Sequence, residues 1–278
     1  MEISKYLLIF LSLIIFLPHT TTAQLITDKD ESKLYAQSKQ VNQFFRRFNG
    51  EEDEKGNRYY QGNKQYRNAK LRKKYLTILF DASNTGMTDA LKNEFVNFLL
   101  AKPESTVVDF HGGNWFAEVQ TLFAVNAKEN TVTLFMELEK DHLGYKWTIQ
   151  KAHADFFKPY FYRDTTKIGR FLHPMSHELD FMNLRKAFLP DSISQFTVKR
   201  FVPDHLSLLL YEIKKGNMVF KSVERTKFHF FQIDGWYFEV SDFNRPGYNT
   251  GWLISNLVKL KDSSEKELLL NYLHYENR

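Results

Sequence analysis

The chain of 278 residues contains no cysteine. That absence excludes disulfides, thiolate metal sites and thiol nucleophiles, so any export must be matched by stability from core packing alone. Several reactive signatures are missing too. There is no Gly-rich phosphate loop, no nucleophile elbow and no paired-carboxylate motif. No segment is apolar for the roughly 20 residues that a membrane span requires. Charge of one sign is also scarce: the formal net charge is +5, modest for a polyanion binder. Nucleic acid is therefore not an expected partner.

What is present is aromatic. Phenylalanine alone accounts for 26 residues, a composition suited to sheets packed against helices. The first 23 residues stand apart. Lys5 precedes an apolar run from Tyr6 to Leu17, and Thr21-Thr22-Ala23 supplies small residues at a cleavage site. The pattern predicts a signal peptide cut between Ala23 and Gln24, and hence a periplasmic or secreted protein that is not an integral membrane protein afterwards. No cysteine follows to carry a lipid.

Periodicity predicts helices over 31–49, 67–82 and 88–100, the last stopped by Pro103. The second carries Arg67, Lys70, Arg72, Lys73 and Lys74 opposite its apolar face, the pattern of a solvated basic helix face. Strands are expected at 105–110, 115–125, 131–139 and 145–149. The order then restarts: a helix over 176–189, and strands at 193–201, 205–213, 218–233 and 236–242. In the long third strand Val219 and Val223 are out of phase with Phe228 and Phe230, which predicts a bulge near 224–226. Asp234-Gly235 is a type I′ hairpin signal. After it Trp236, Phe238 and Val240 share one face and Tyr237, Glu239 and Ser241 the other. Helices are expected over 249–260 and from a capping box at Ser264–Glu267.

The restart suggests an α+β fold of two consecutive helix-plus-antiparallel-meander units, 31–157 and 165–278. An 89-residue spacing, Thr88 to His177 and Trp147 to Trp236, agrees with it. A helix across a curved meander resembles the nuclear transport factor 2-like, or cystatin-like, architecture. The run Phe228-His-Phe-Phe-Gln-Ile-Asp-Gly-Trp-Tyr-Phe-Glu239, with Gly251-Trp-Leu-Ile-Ser-Asn-Leu257, resembles a group of exported Bacteroidetes proteins. Neither resemblance implies a catalytic residue.

Candidate chemistry is sparse. His173 and His177 are four apart, but Pro174 disfavours a helix there, and no metal or other cofactor is expected. Asp109 and His111 beside Gly112-Gly113 read as a turn. His229, between Phe228 and Phe230, is expected on the opposite face and partly exposed. The predicted binding residues are Asn244, Arg245, Tyr248, Trp252 and Tyr237, flat rings beside amide and guanidinium donors. A type II turn at Arg245-Pro246-Gly247 would present Arg245 and Tyr248 together. The expected function is a non-enzymatic binding or assembly module of the cell envelope, with a protein or glycan partner. Its rivals are an isomerase or hydrolase with a pocket in a curved sheet, and a surface carbohydrate-binding protein.

Overall fold

A computed structural model describes residues 41–53, 56–104, 106–142, 144–161, 188, 190, 193–198, 200–201, 203–246 and 249–276. The chain divides at Val41, and the unit Asn42–Arg278 holds every element below. Residues 42–49 are helical (α1). Helices α2 (Ala69–Ile78) and α3 (Asp89–Ala101) follow, then strands β1 (Trp115–Val125), β2 (Lys128–Asp141) and β3 (Gly144–His153). After a 3-10 turn at Asp155–Phe157 come helix α4 (His205–Lys214), strands β4 (Met218–Phe230), β5 (Trp236–Phe243) and β6 (Gly251–Lys259), and helix α5 (Ser263–Leu273). The fold is α+β.

The six strands form one antiparallel sheet in the order β3-β2-β1-β4-β5-β6. The expectation of two separate meanders is corrected here, because β1 pairs with β4 from Trp115–Phe230 to Val125–Met218. Each half contributes three strands, and a shared ladder makes them one sheet. The 89-residue spacing does not join like elements either: Trp147 lies on edge strand β3, Trp236 at the start of interior strand β5.

One sheet face is aromatic and dry. Phe44, Phe45 and Phe48 of α1 and Phe95 of α3 meet Trp115, Phe230, Trp236 and Phe238 from the strands. Phe48 stacks on Phe238 at 5.4 Å, Phe238 on Phe230 at 4.8 Å, and Phe230 on Trp115 at 5.3 Å. Offset ring pairs of this kind add to the burial of their own area. Beside them Arg72 is fully buried, correcting its place on a solvated helix face. Its guanidinium donates to the carbonyls of Phe48 (3.1 Å), Pro103 (3.1 Å) and Thr106. The cation thus answers orphan carbonyls where α1 and α3 end. Burial, then the charge of Arg67, lowers its pKa to about 10. Lys70, Lys73 and Lys74 do remain exposed.

Local chemistry explains where sequence and structure part. The expected strand at 205–213 is α4, because Asp204 accepts from the backbone N–H groups of Leu206 and Ser207, both at 3.0 Å. The expected helix at 249–260 is β6, paired with β5 from Trp236–Lys259 to Phe243–Gly251: Trp252, Leu253 and Ile254 are buried in succession, as in a strand covered on both faces. Of the expected strand at 105–110, the described residues 106–110 form none; the Asn49 amide takes the place of a strand neighbour, bonding both N–H and C=O of Val108 at 2.9 Å. Among the described residues of 193–201, Ile193–Phe196 form a short 3-10 turn and none lies in a strand. The last helix is capped two residues early: Asp262 accepts from Glu265 N, and Glu265 accepts from Lys261 N. The Asp234-Gly235 signal makes a turn closed by Trp236 N–H to Ile233 C=O at 3.0 Å; only Gly235 has positive φ, so it is not type I′. The predicted bulge is present, since β1 pairs Gln120 with Arg225 and Thr121 with Val223, skipping Glu224. Of the expected helix at 176–189 only Phe188 is described, at an exposed bend; the rest lies outside the described residues.

Candidate functional site

The aromatic loop after β5 is the foremost binding candidate, and two of its polar side chains, Arg245 and Asn249, turn inward. Arg245 bonds Asp81 at 2.6 Å, the Ser83 hydroxyl at 2.7 Å and the carbonyl of Asn249 at 2.6 Å. The Asn249 amide donates to Phe80 C=O at 2.8 Å and accepts from Ala82 N–H at 2.9 Å. Together they clasp segment 80–83 to the β5–β6 connection. Burial alone would raise the Asp81 pKa; hydrogen bonds from Ser83 and Arg245 prevail and hold it below the ordinary value. Trp252 is buried against Phe228 at 5.0 Å, and Asn244 is exposed. Tyr237 is buried and hydrogen-bonded to His229, away from this clasp. Gly247 and Tyr248 lie outside the described residues, as do His173 and His177. Of the donors expected for a glycan at this loop, Arg245 and Asn249 are thus committed to the fold, while Asn244 is exposed.

The second polar centre is one that pattern reading assigned to solvent. His229 is fully buried, correcting the expectation of partial exposure. Its Nε2 lies 2.9 Å from a Glu118 carboxylate oxygen and its Nδ1 2.8 Å from the Tyr237 hydroxyl. A carboxylate only accepts, so Nε2 carries a hydrogen, and in the neutral ring Nδ1 accepts from the phenol. Next to it Glu239 accepts from Lys227 (3.2 Å), Ser241 (3.2 Å) and Ser255 (2.7 Å). Burial would raise the Glu239 pKa, but the Ser255 bond and then the positive charge of Lys227 lower it. Burial, reinforced by Glu239 and Glu118, pushes the Tyr237 phenol up.

Such a chain can relay a proton, yet it is closed. Leu269, Leu270 and Leu273 of α5, with Tyr275, pack on Phe116, Phe135, Phe231 and Tyr237 above it. The phase of His229 was legible; the second cover was not. Its one trace was the leucine group 268–270 and 273, which needs an apolar surface to rest on. Elsewhere, a cleft of about 350 Å³ lies beside Arg46, Glu51, Arg67 and Asp109. Its arginines are already paired, Arg67 with Glu51 at 2.7 Å and Arg46 with Glu52 at 2.5 Å. Asp109 and His111 form the expected turn, pinned by Gln232. Among the described residues there is no cluster that could hold a metal ion, and no helix long and apolar enough to cross a membrane.

The third feature is a projecting ribbon. β5 pairs with β4 only from Lys227 to Phe230, so β4 runs on past it. Residues 219–225 are exposed in succession, with Val219, Phe220 and Val223 at 54%, 53% and 55% of their full accessibility. Neighbouring α4 exposes Leu210, Tyr211 and Ile213 while burying Leu209 against Phe123, Leu134 and Met218. Exposed apolar groups gathered in this way mark interaction surfaces in folded proteins. The chain matches no known family, no curated protein and no solved structure.

Proposed function

We propose that the chain is an exported envelope protein that works by binding or assembly, with the β4 ribbon and the outer side of α4 as its working surface. One observation carries this reading: seven consecutive exposed strand residues, 219–225, present Val219, Phe220 and Val223. Lys5, the apolar run to Leu17 and the small residues before Gln24 support export. Kinship with the exported Bacteroidetes proteins belongs to the same proposal. Tandem nuclear transport factor 2-like units draw less support, since the two meanders share one ladder.

The test has two parts. Amino-terminal sequencing of material from its native host should begin at Gln24, and a retained Met1 would count against export. Replacing Phe220 and Val223 together by Asp should abolish recovery of envelope partners with the melting temperature unchanged; unchanged recovery would refute the surface. A catalytic reading draws on the Glu118–His229–Tyr237 relay. It requires turnover of an ester, glycoside or isomerisable substrate that is lost in His229→Gln, and no turnover in a broad screen would end it.

A further inference from the structure

The free edges of the sheet differ in charge. β6 is already touched along its outer side, where Ile254 exchanges bonds with Leu79 C=O (2.7 Å) and Asp81 N–H (2.9 Å). The in-strand charges of β3 are Lys146 and Lys151 alone, so pairing two copies of that edge gains no opposite charges, a recognised protection of edge strands. The projecting part of β4 carries both signs: Lys221, Glu224 and Arg225 among Val219, Phe220, Ser222 and Val223.

We propose that two copies of this chain pair antiparallel through the projecting edges of β4, with Lys221 of each copy opposite Glu224 of the other. The proposal rests on the assembly reading and names its partner. A two-fold axis between Ser222 and Val223 sets Ser222 against Val223, Lys221 against Glu224, Phe220 against Arg225 and Val219 against Thr226, each pair made twice. The charges are complementary, and the Phe–Arg pair adds a cation over a ring. Shifting the register one step toward Ser222 sets Phe220 against Glu224 and Val219 against Arg225. Shifting it the other way sets Lys221 against Arg225. Only the first alignment matches charge to charge.

The bulges fit the same axis. β1 skips two residues of β4, Glu224 between Arg225 and Val223, and Lys221 between Ser222 and Phe220. The proposed axis brings these two skipped residues opposite each other. Each strand then carries its extra residue at the same level as its mate, and the new ladder stays one-to-one. A lone bulge would instead bend one edge away from a partner.

Sedimentation equilibrium of the full mature chain over a wide dilution series tests this. The wild type should be a dimer that dissociates on dilution and weakens with added salt. Lys221→Glu and Glu224→Lys should each raise the dissociation constant by about tenfold or more, because each turns two attractive pairs repulsive. The double variant Lys221→Glu/Glu224→Lys should restore it. At dilutions where every variant is monomeric, all three should melt like the wild type, since both positions are exposed. A dimer indifferent to the single changes, or unrescued by the double, overturns the proposal. So does a wild type that stays monomeric. A monomer that still recovers envelope partners through Phe220 and Val223 overturns the dimer alone, whereas one that does not overturns the binding surface with it.

Discussion

On one face of the sheet Trp115, Phe230, Trp236 and Phe238 lie under α1 and α3, and the contacts are ring against ring. On the other face Tyr237 lies under α5 and bonds the buried His229, flanked by Glu118 and Glu239, and the contacts are hydrogen bonds beside a thin apolar cover. Both faces are largely buried, but their energetics differ. The aromatic face gains from area and dispersion, which titrate with nothing. The polar face is held by groups whose desolvation is offset only while every partner stays in place. A mutation on the first face should therefore lower stability alike at all pH, and one on the second should change its pH dependence.

The largest expected effect is on the aromatic face. Phe238→Ala opens a cavity against Phe48, Phe95 and Phe230 and should cost about 4 kcal/mol in urea unfolding. A loss well under half of that would mean the face collapses around the gap. Arg72→Met keeps much of the side-chain volume but strands the carbonyls of Phe48, Pro103 and Thr106; a loss of about 3 kcal/mol is expected. If Arg72→Met were neutral, the guanidinium would be a passenger.

On the polar face Tyr237→Phe removes one hydroxyl and leaves His229 Nδ1 unpaired, for a loss of about 2 kcal/mol. The smallest effect expected is a change of slope. His274, at the end of α5, has its pKa lowered from 6.5 to about 4 by burial and then by the Lys151 charge. The unfolded chain therefore binds the proton first. Stability from the neutral ring is complete above pH 6.5 and is lost as pH falls toward about 4. His274→Gln should flatten the denaturation midpoint against pH in that window, and an unchanged slope would refute the linkage. Phe238→Ala should leave the slope as in the wild type, which is the sharpest contrast between the faces.

Legibility in the sequence followed the range of the interactions. α3 was visible because Leu91, Phe95, Phe98 and Leu99 repeat at helical spacing and Pro103 lies just beyond. β1, β2 and β5 showed their alternation, and the phase slip in β4 foretold the Glu224 bulge. α4 and β6 exchanged identities. Leu206 to Leu210 fit either period, and the Asp204 cap settles that segment. Trp252 to Ile254 reads as a helix start until both sheet faces are known to be covered. The candidate site fared similarly: Arg245 has donors that suit a ligand, but Asp81 and Ser83, more than 160 positions earlier, take them up.

Composition and local pattern by themselves determined an α+β chain without disulfides, the main helices, most strands and the alternation about Trp236. Those features depend on neighbours within a few residues. Only the tertiary structure decided that β1 and β4 join two meanders into one sheet, that Arg72 and His229 are buried, and that Arg245 and Asn249 turn inward. Each of these depends on partners far along the chain: Thr106 for Arg72, Glu118 for His229, Asp81 for Arg245. A buried polar group is stable only where such a partner arrives, and no local period records that arrival.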